Sequence, residues 1–184
     1  MDCGYEVPHI LPDVLGSDLL IVFVGTAAGE KSARRGAYYA HAGNSFWRTL
    51  HAVGLTPRVL LVGEFKLILD FRIGLTDIAK VRSGSDASLC DIDLDVPAFR
   101  AKIELYAPQV VAFNGKKAAS IFFGRRTSEI PYGKHSENVG HTALWTLPST
   151  SGGARGFWDI GHWQLLADST RSASRQGGGS KEKM

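Results

Sequence analysis

Cysteine is nearly absent from this chain. Its only two, Cys3 and Cys90, are too few for a four-thiolate iron–sulfur cluster, and a chain of this size demands no disulfide. Long apolar runs are also missing: none approaches the roughly 20 residues that span a bilayer. The start, Met1-Asp2-Cys3-Gly4, lacks the basic and apolar regions of a signal peptide. The expectation is a cytoplasmic protein with no membrane partner. Excess charge of one sign is small, with a net +3 at pH 7, which permits an anionic partner without arguing for one. No internal repeat is present. What the chain does have is length and apolar content, 184 residues at 44% hydrophobic, enough to bury one sizeable core. A single domain is expected over residues 1–171. The Ser-, Gly- and Lys-rich stretch 172–184 has no apolar surface to bury and reads as a disordered tail.

Residues 19–24 (LLIVFV) form a short continuous apolar run, the pattern of a strand buried on both faces. Similar reasoning places strands at 73–78, 109–113 and 143–147. Asn44 or Ser45 can cap a helix through Phe46, Trp47, Leu50 and Val53. Further helices are expected over about residues 57–71, from Pro97 to Tyr106, from 118 to 122, and over about 157–169, with a long loop over 81–95. Strands alternating with helices imply an α/β fold: a central, mostly parallel four-stranded sheet flanked by helices on both faces. Ligands of such sheets sit outside the carboxyl ends of the strands, so the loops starting at Gly25, Thr76, Asn114 and Pro148 should converge on one site.

The loop from Gly25 to Ala33 is rich in small side chains, which lets a ligand approach backbone N–H groups. It is not a phosphate loop, because only three residues separate Gly25 from Gly29 and the following Lys31-Ser32 does not fit the Walker spacing. Tyr38 and Tyr39 stand between glycines, where an aromatic can stack on a planar base; covering the core edge is the alternative for one of them. The loop after the last strand carries Ser149, Ser151, Gly152, Gly153 and Arg155. Hydroxyls, bare backbone and Arg are usual donors to a phosphodiester.

In this order and spacing, VGTAAGEKSA (24–33), GAYYAHAGNSFW (36–47), GLTDI (74–78), YAPQVVAFNGKKA (106–118) and LPSTSGGAR (147–155) resemble the uracil-DNA glycosylase superfamily. The branch they resemble is that of the mismatch-specific uracil and thymine glycosylases. The resemblance implies the three-layer sandwich of that superfamily and base excision from DNA without metal or cofactor. It implies that Tyr39 stacks on the flipped base, that Thr26, Ala27 and Ser32 line the base pocket, and that the 149–155 loop grips phosphates and wedges the duplex. Asn44 corresponds to an Asn beside Phe-Trp, as cap or as site residue, and Lys116 is placed to reach a phosphate. The branch usually carries at position 27 the Asn that holds the attacking water. Ala27 has no polar side chain, so Asp77, Thr76, His41 and Glu30 are the candidates for orienting water. Asp77 is the favoured one, with a helix N-cap as its structural alternative.

The expected function is therefore a monofunctional glycosylase. It flips uracil, and with the wider pocket hypoxanthine, xanthine or other deaminated bases, out of DNA and hydrolyses the N-glycosidic bond to leave an abasic site, acting as a monomer. The alternative is a protein that has lost catalysis and binds lesions or abasic sites. An ordinary nucleotide-binding enzyme fits the sheet but lacks a phosphate fingerprint.

Overall fold

The structure, a computed structural model, describes residues 9–84 and 94–177. Its centre is a sheet of β1 (Ile21–Ala28), β2 (Ile73–Ser83), β3 (Val110–Asn114), β4 (Gly133–Val139) and β5 (Thr142–Leu147), in the order β2-β1-β3-β5-β4. All neighbours are parallel except β4 and β5. The apolar runs explain the centre. Ile21 and Phe23 point to one core and Val22 and Val24 to the other, all fully buried. Val110 and Ala112 alternate with Val111 and Phe113 in the same way, as a two-residue period requires.

On one face pack α2 (Phe46–Ala52), the 3-10 segment Val62–Phe71 and α5 (Ile160–Gly177), which bring Phe46, Leu50, Phe65, Ile68 and Trp163 onto the sheet. On the other lie α3 (Val96–Tyr106) and α4 (Lys116–Phe123), with Phe99, Ile103, Ala119 and Phe122. α1 (Glu30–Arg35) is a single short helix directly after β1. The result is the three-layer α/β arrangement expected from the sequence.

Four differences stand out. The sheet has five strands rather than four. The extra strand, β4, is a polar edge strand in which only His135 and Val139 are buried, so it carries no apolar signature. β1 and β2 run past their apolar stretches to Ala28 and Ser83, with a register shift after Ala27. The expected loop 81–95 is thus strand at its start; residues 85–93 lie outside the described ones. The segment expected as a helix over 57–71 is a 3-10 turn, because Val62, Phe65, Ile68 and Phe71 recur every third residue against one core, and three residues per turn is the 3-10 period. The last helix begins later, with Asp159 accepting from Gly161 N–H at 2.8 Å, and continues through 172–177. Those six residues were expected in the tail. Among the described residues no helix is long and apolar enough to cross a membrane.

Trp163 ties α5 to the carboxyl end of the sheet. Fully buried, it stacks on Phe23 at 5.3 Å, and its indole N–H donates to the Pro148 carbonyl at 3.0 Å. Replacing Trp163 by Ala should cost about 3–5 kcal/mol, seen as a lowered urea midpoint at unchanged slope. A loss under 1 kcal/mol would mean that α5 is not fixed through this ring.

Candidate active site

The chain leaves β1 toward β2 on one side and later returns to place β3 on the other, so a crevice opens at the carboxyl ends of β1 and β3. A cavity of about 530 Å³ lies there. β1 contributes Gly25, Thr26 and Ala27; β2 contributes Asp77; β3 ends in Asn114; and the loop after β5 contributes residues 149–153. Ser32 of α1 and Tyr38, Tyr39, His41 and Asn44 of the following loop close it. Eleven of the expected site residues therefore meet in one place: Thr26, Ala27, Ser32, Tyr39, His41, Asn44, Asp77, Ser149, Ser151, Gly152 and Gly153.

Asp77 is the chemical centre of this cavity. It is 5% exposed, and Gly25 is its partner across the parallel pairing. A Cβ at Gly25 would overlap Asp77 Oδ1, so any larger residue there would push the carboxyl from its present place. Burial pushes the Asp77 pKa up to about 7, with Asp13 adding to the rise and Lys80 and Lys102 opposing it. Neither lysine is free to neutralise Asp77 directly. Lys80 Nζ lies 2.8 Å from Asp13 Oδ1 and Lys102 Nζ 2.5 Å from Oδ2. Asp13 itself stays below the usual carboxylate range, although its burial pulls the other way, because both lysines and the Thr76 hydroxyl donate to it.

Thr76 thereby has a different place from the one expected. Its side chain is fully buried and donates to Asp13 Oδ1 at 2.5 Å, outside the cavity lining. Successive residues of a strand point to opposite faces, and here Asp77 is on the cavity side while Thr76 is turned to Asp13. Glu30 is also outside it, exposed at the start of α1. Lys116 lines an adjoining groove instead of the cavity. Arg155 has its backbone in the 3-10 turn Gly152–Phe157; its side chain lies outside the described ones.

The aromatic wall is built in layers. Tyr39 sits at φ +53°, a left-handed conformation uncommon for a residue with a side chain, and its ring stacks on Phe46 at 3.8 Å. Its hydroxyl is buried with no hydrogen bond among the described residues. Burial raises the Tyr39 pKa, opposed only weakly by the nearby Asn114 amide. Tyr38, also at the cavity, receives a hydrogen bond from Lys80 Nζ at 3.2 Å, so it connects the cavity to the half-buried ion cluster.

The polar wall is held in one orientation. Asn44 Oδ1 accepts from Phe46 N–H at 2.9 Å, which leaves its amide N–H groups as donors. His41 Nδ1 accepts from Gly43 N–H at 2.9 Å, so in the neutral ring the proton sits on Nε2. Ser32 Oγ accepts from Ala40 N–H at 3.1 Å. Thr150, 2% exposed, joins three loops: its N–H donates to Asn114 Oδ1 at 3.0 Å, its Oγ1 accepts from Asn114 Nδ2 at 2.8 Å, and its carbonyl accepts from Ser45 N–H at 3.0 Å. Asn114 was expected only as the start of a converging loop and Thr150 only as part of the 149–155 loop, while Tyr38 was offered beside Tyr39 without being assigned to the site. Polar side chains just past apolar strands, in FNG and LPST, were the available signal for Asn114 and Thr150. Among the described residues no group of three or more His, Cys, Asp or Glu is placed to hold a metal ion.

The raised pKa makes Asp77 a cost to folding. Between its unfolded value of 3.8 and about 7 the folded state binds the extra proton, so this residue's contribution to stability falls as pH rises through that window and is flat above it. Asp77→Asn should therefore raise stability at both pH values, by roughly 1–2 kcal/mol at pH 5 and by roughly 3–5 kcal/mol at pH 8. Thermal melts at both pH values check this; equal effects at the two would place the Asp77 pKa outside that window.

The comparisons agree with the geometry. The family model of the Uracil DNA glycosylase superfamily matches residues 12–163. Among solved structures the chain is similar to a candidate uracil DNA glycosylase from Methanosarcina acetivorans, determined in solution by NMR. The two share 23% identity with a TM-score of 0.60, over 90% of this chain and 98% of that one. At that identity the likeness speaks for the fold, and the match over 12–163 speaks for descent: this chain belongs to the uracil DNA glycosylase superfamily.

Proposed function

We propose that this protein is a monofunctional DNA glycosylase that removes uracil and other deaminated bases from DNA by hydrolysing the N-glycosidic bond. The observation that carries this is Asp77: a carboxyl in a cavity at the strand ends, titrating near neutrality, with no hydrogen bond to it from a described residue.

Glycosidic cleavage of this kind builds negative charge on the departing base and an oxocarbenium-like sugar. A flipped nucleotide with its base against the Tyr39–Phe46 stack would set its sugar near the strand ends. Ionised Asp77 there stabilises the sugar cation and orients water for attack. Asn44 Nδ2, the Nε2–H of His41 and the backbone N–H groups of the Gly25–Gly29 stretch are the donors available to the base. Ala27 brings only a methyl group and its backbone to the wall. This supports a pocket wide enough for hypoxanthine and xanthine beside uracil. A lyase route needs a pocket amine. Lys31 is exposed on α1, Lys80 is bound to Asp13, and neither lines the cavity.

Ala27 is also what favours the second possibility, a lesion- or abasic-site-binding protein without turnover. Single-turnover cleavage of labelled oligonucleotides carrying uracil, hypoxanthine or xanthine, followed by alkali, separates the two. The glycosylase should cleave with a rate rising about tenfold per pH unit below 7 and level above it, since the ionised carboxylate is the active form. Asp77→Asn should lower the rate at least about 100-fold with binding retained. No cleavage of any of the three, together with tight binding to an abasic duplex, would establish the binding protein instead.

A further inference from the structure

A second hollow opens off the cavity and is larger than it, about 690 Å³. The two share Thr26, Asn114, Ser149, Ser151 and Gly153, so they form one continuous groove. The second hollow begins at the first turn of α4, where Gly115 (φ +119°) approaches Ser149 so closely that a Cβ would lie 3.2 Å from the serine Cβ. Lys116 and Lys117 line it, and so does Tyr132. Lys116 Nζ is held 4.6 Å from the centre of the Tyr132 ring. Among the described residues neither lysine forms an ion pair, and no Asp or Glu lines the hollow. The remaining wall is mostly hydroxyl: Thr26, Thr127, Ser128, Ser149 and Ser151.

Two uncompensated ammonium groups, several hydroxyls and one aromatic ring are the donor set for one nucleotide unit, phosphate plus base. A nucleotide in the main cavity is covalently joined to its neighbours, and a neighbour leaving through this opening enters the second hollow. We infer that the Tyr132 hollow is a second nucleotide subsite. It takes the unpaired nucleotide adjoining the flipped one, with its phosphate on Lys116, Lys117 and the hydroxyls and its base on Tyr132. The ring also positions Lys116, which moves from ring to phosphate as the subsite fills. Occupying both hollows takes two nucleotides out of the stack, and each extrusion from a duplex has to overcome pairing and stacking. Single-stranded or frayed DNA is therefore the preferred substrate.

This inference rests on the proposed glycosylase function, and binding and cleavage are measured separately to keep the two apart. The binding probe is a single-stranded oligonucleotide with 2′-fluoro-deoxyuridine, whose electron-poor sugar resists cleavage, flanked by the fluorescent base 2-aminopurine. Wild-type protein should change the 2-aminopurine emission when it adjoins the uridine on one side, and not when it lies four positions away. Tyr132→Ala should remove that change and weaken binding about tenfold, Tyr132→Phe should keep both, and a melting curve checks that each variant is folded. Lys117→Ala should lower the slope of log Kd against log salt by about 0.7, the value for one phosphate on a single strand. Fully paired duplex should bind at least about tenfold more weakly than the single strand. Emission that does not depend on Tyr132, or duplex bound as tightly as single strand, overturns the subsite. If wild type cleaves ordinary uracil DNA and Tyr132→Ala cleaves it with the same KM, the glycosylase stands and the subsite falls. If wild type cleaves nothing but shows the Tyr132-dependent emission, the subsite stands and the glycosylase falls.

Discussion

The carboxyl of Asp77 occupies the space a side chain at Gly25 would fill, and the site is organised by that fit. The parallel register sets Gly25 beside Asp77, and the missing Cβ is the space the carboxyl occupies. With that space filled, Asp77 would be displaced from the strand ends. With it empty, a carboxyl sits in a wall of backbone and aromatic rings that solvates it poorly. Two lysines lie close enough to act on it electrostatically, but both are bound to Asp13, which holds one on each oxygen. The outcome is a compromise: the lysines restrain a rise that burial would otherwise carry further, and Asp13 prevents them from abolishing it. A carboxyl poised near neutral pH is a costly thing to bury, and such a cost is commonly found where function requires it.

Around this centre the cavity is rigid by construction. Thr150 uses its N–H, hydroxyl and carbonyl to fasten the ends of β3 and β5 to the start of α2. Trp163 holds the same loop from the core through Pro148. On the opposite wall, the stack of Tyr39 on Phe46 is fixed by α2, whose first N–H is capped by Asn44. One short helix terminus thus positions an aromatic face and a polar donor together. Donors and faces held before a substrate arrives need no reorganisation during reaction, the condition under which they contribute most.

The sheet and both helical layers were legible in the sequence because the central strands are continuous apolar runs bounded by Gly and Pro. β4 was not, since an edge strand with two buried residues looks like a loop. The convergence of strand ends on one site was legible as topology, and eleven of the expected residues meet there. The failures have local causes. Thr76 and Asp77 are adjacent on a strand, and the two-residue period alone would have separated them. Glu30 reads as a site residue next to Gly29 but belongs to the solvent side of α1. The Asn114–Thr150 clamp joins positions 36 residues apart and has no one-dimensional pattern. Asp13, which binds the two lysines nearest Asp77, lies far upstream in an unremarkable segment; only folding brings it against Lys80 and Lys102.

The methyl group of Ala27 and the carboxyl of Asp77 are best understood together. Both line the cavity from neighbouring strands, and Asp77 pairs with Gly25, two residues before Ala27 on β1. A polar group at position 27 could orient water but would carry no charge. The proposed reaction needs charge more than it needs a held water molecule, because the bond to the base is largely broken before the nucleophile engages, and the cationic sugar then accepts water readily. A carboxylate one strand away meets that need through space, without the contact an amide would have to make. In the proposed reaction Ala27 therefore offers water no polar contact and leaves the pocket wide, and the electrostatic contribution is assigned to Asp77. Under that proposal the alanine and the charge work as one arrangement, since the space at position 27 is of use to a larger base only where Gly25 leaves room for the Asp77 carboxyl.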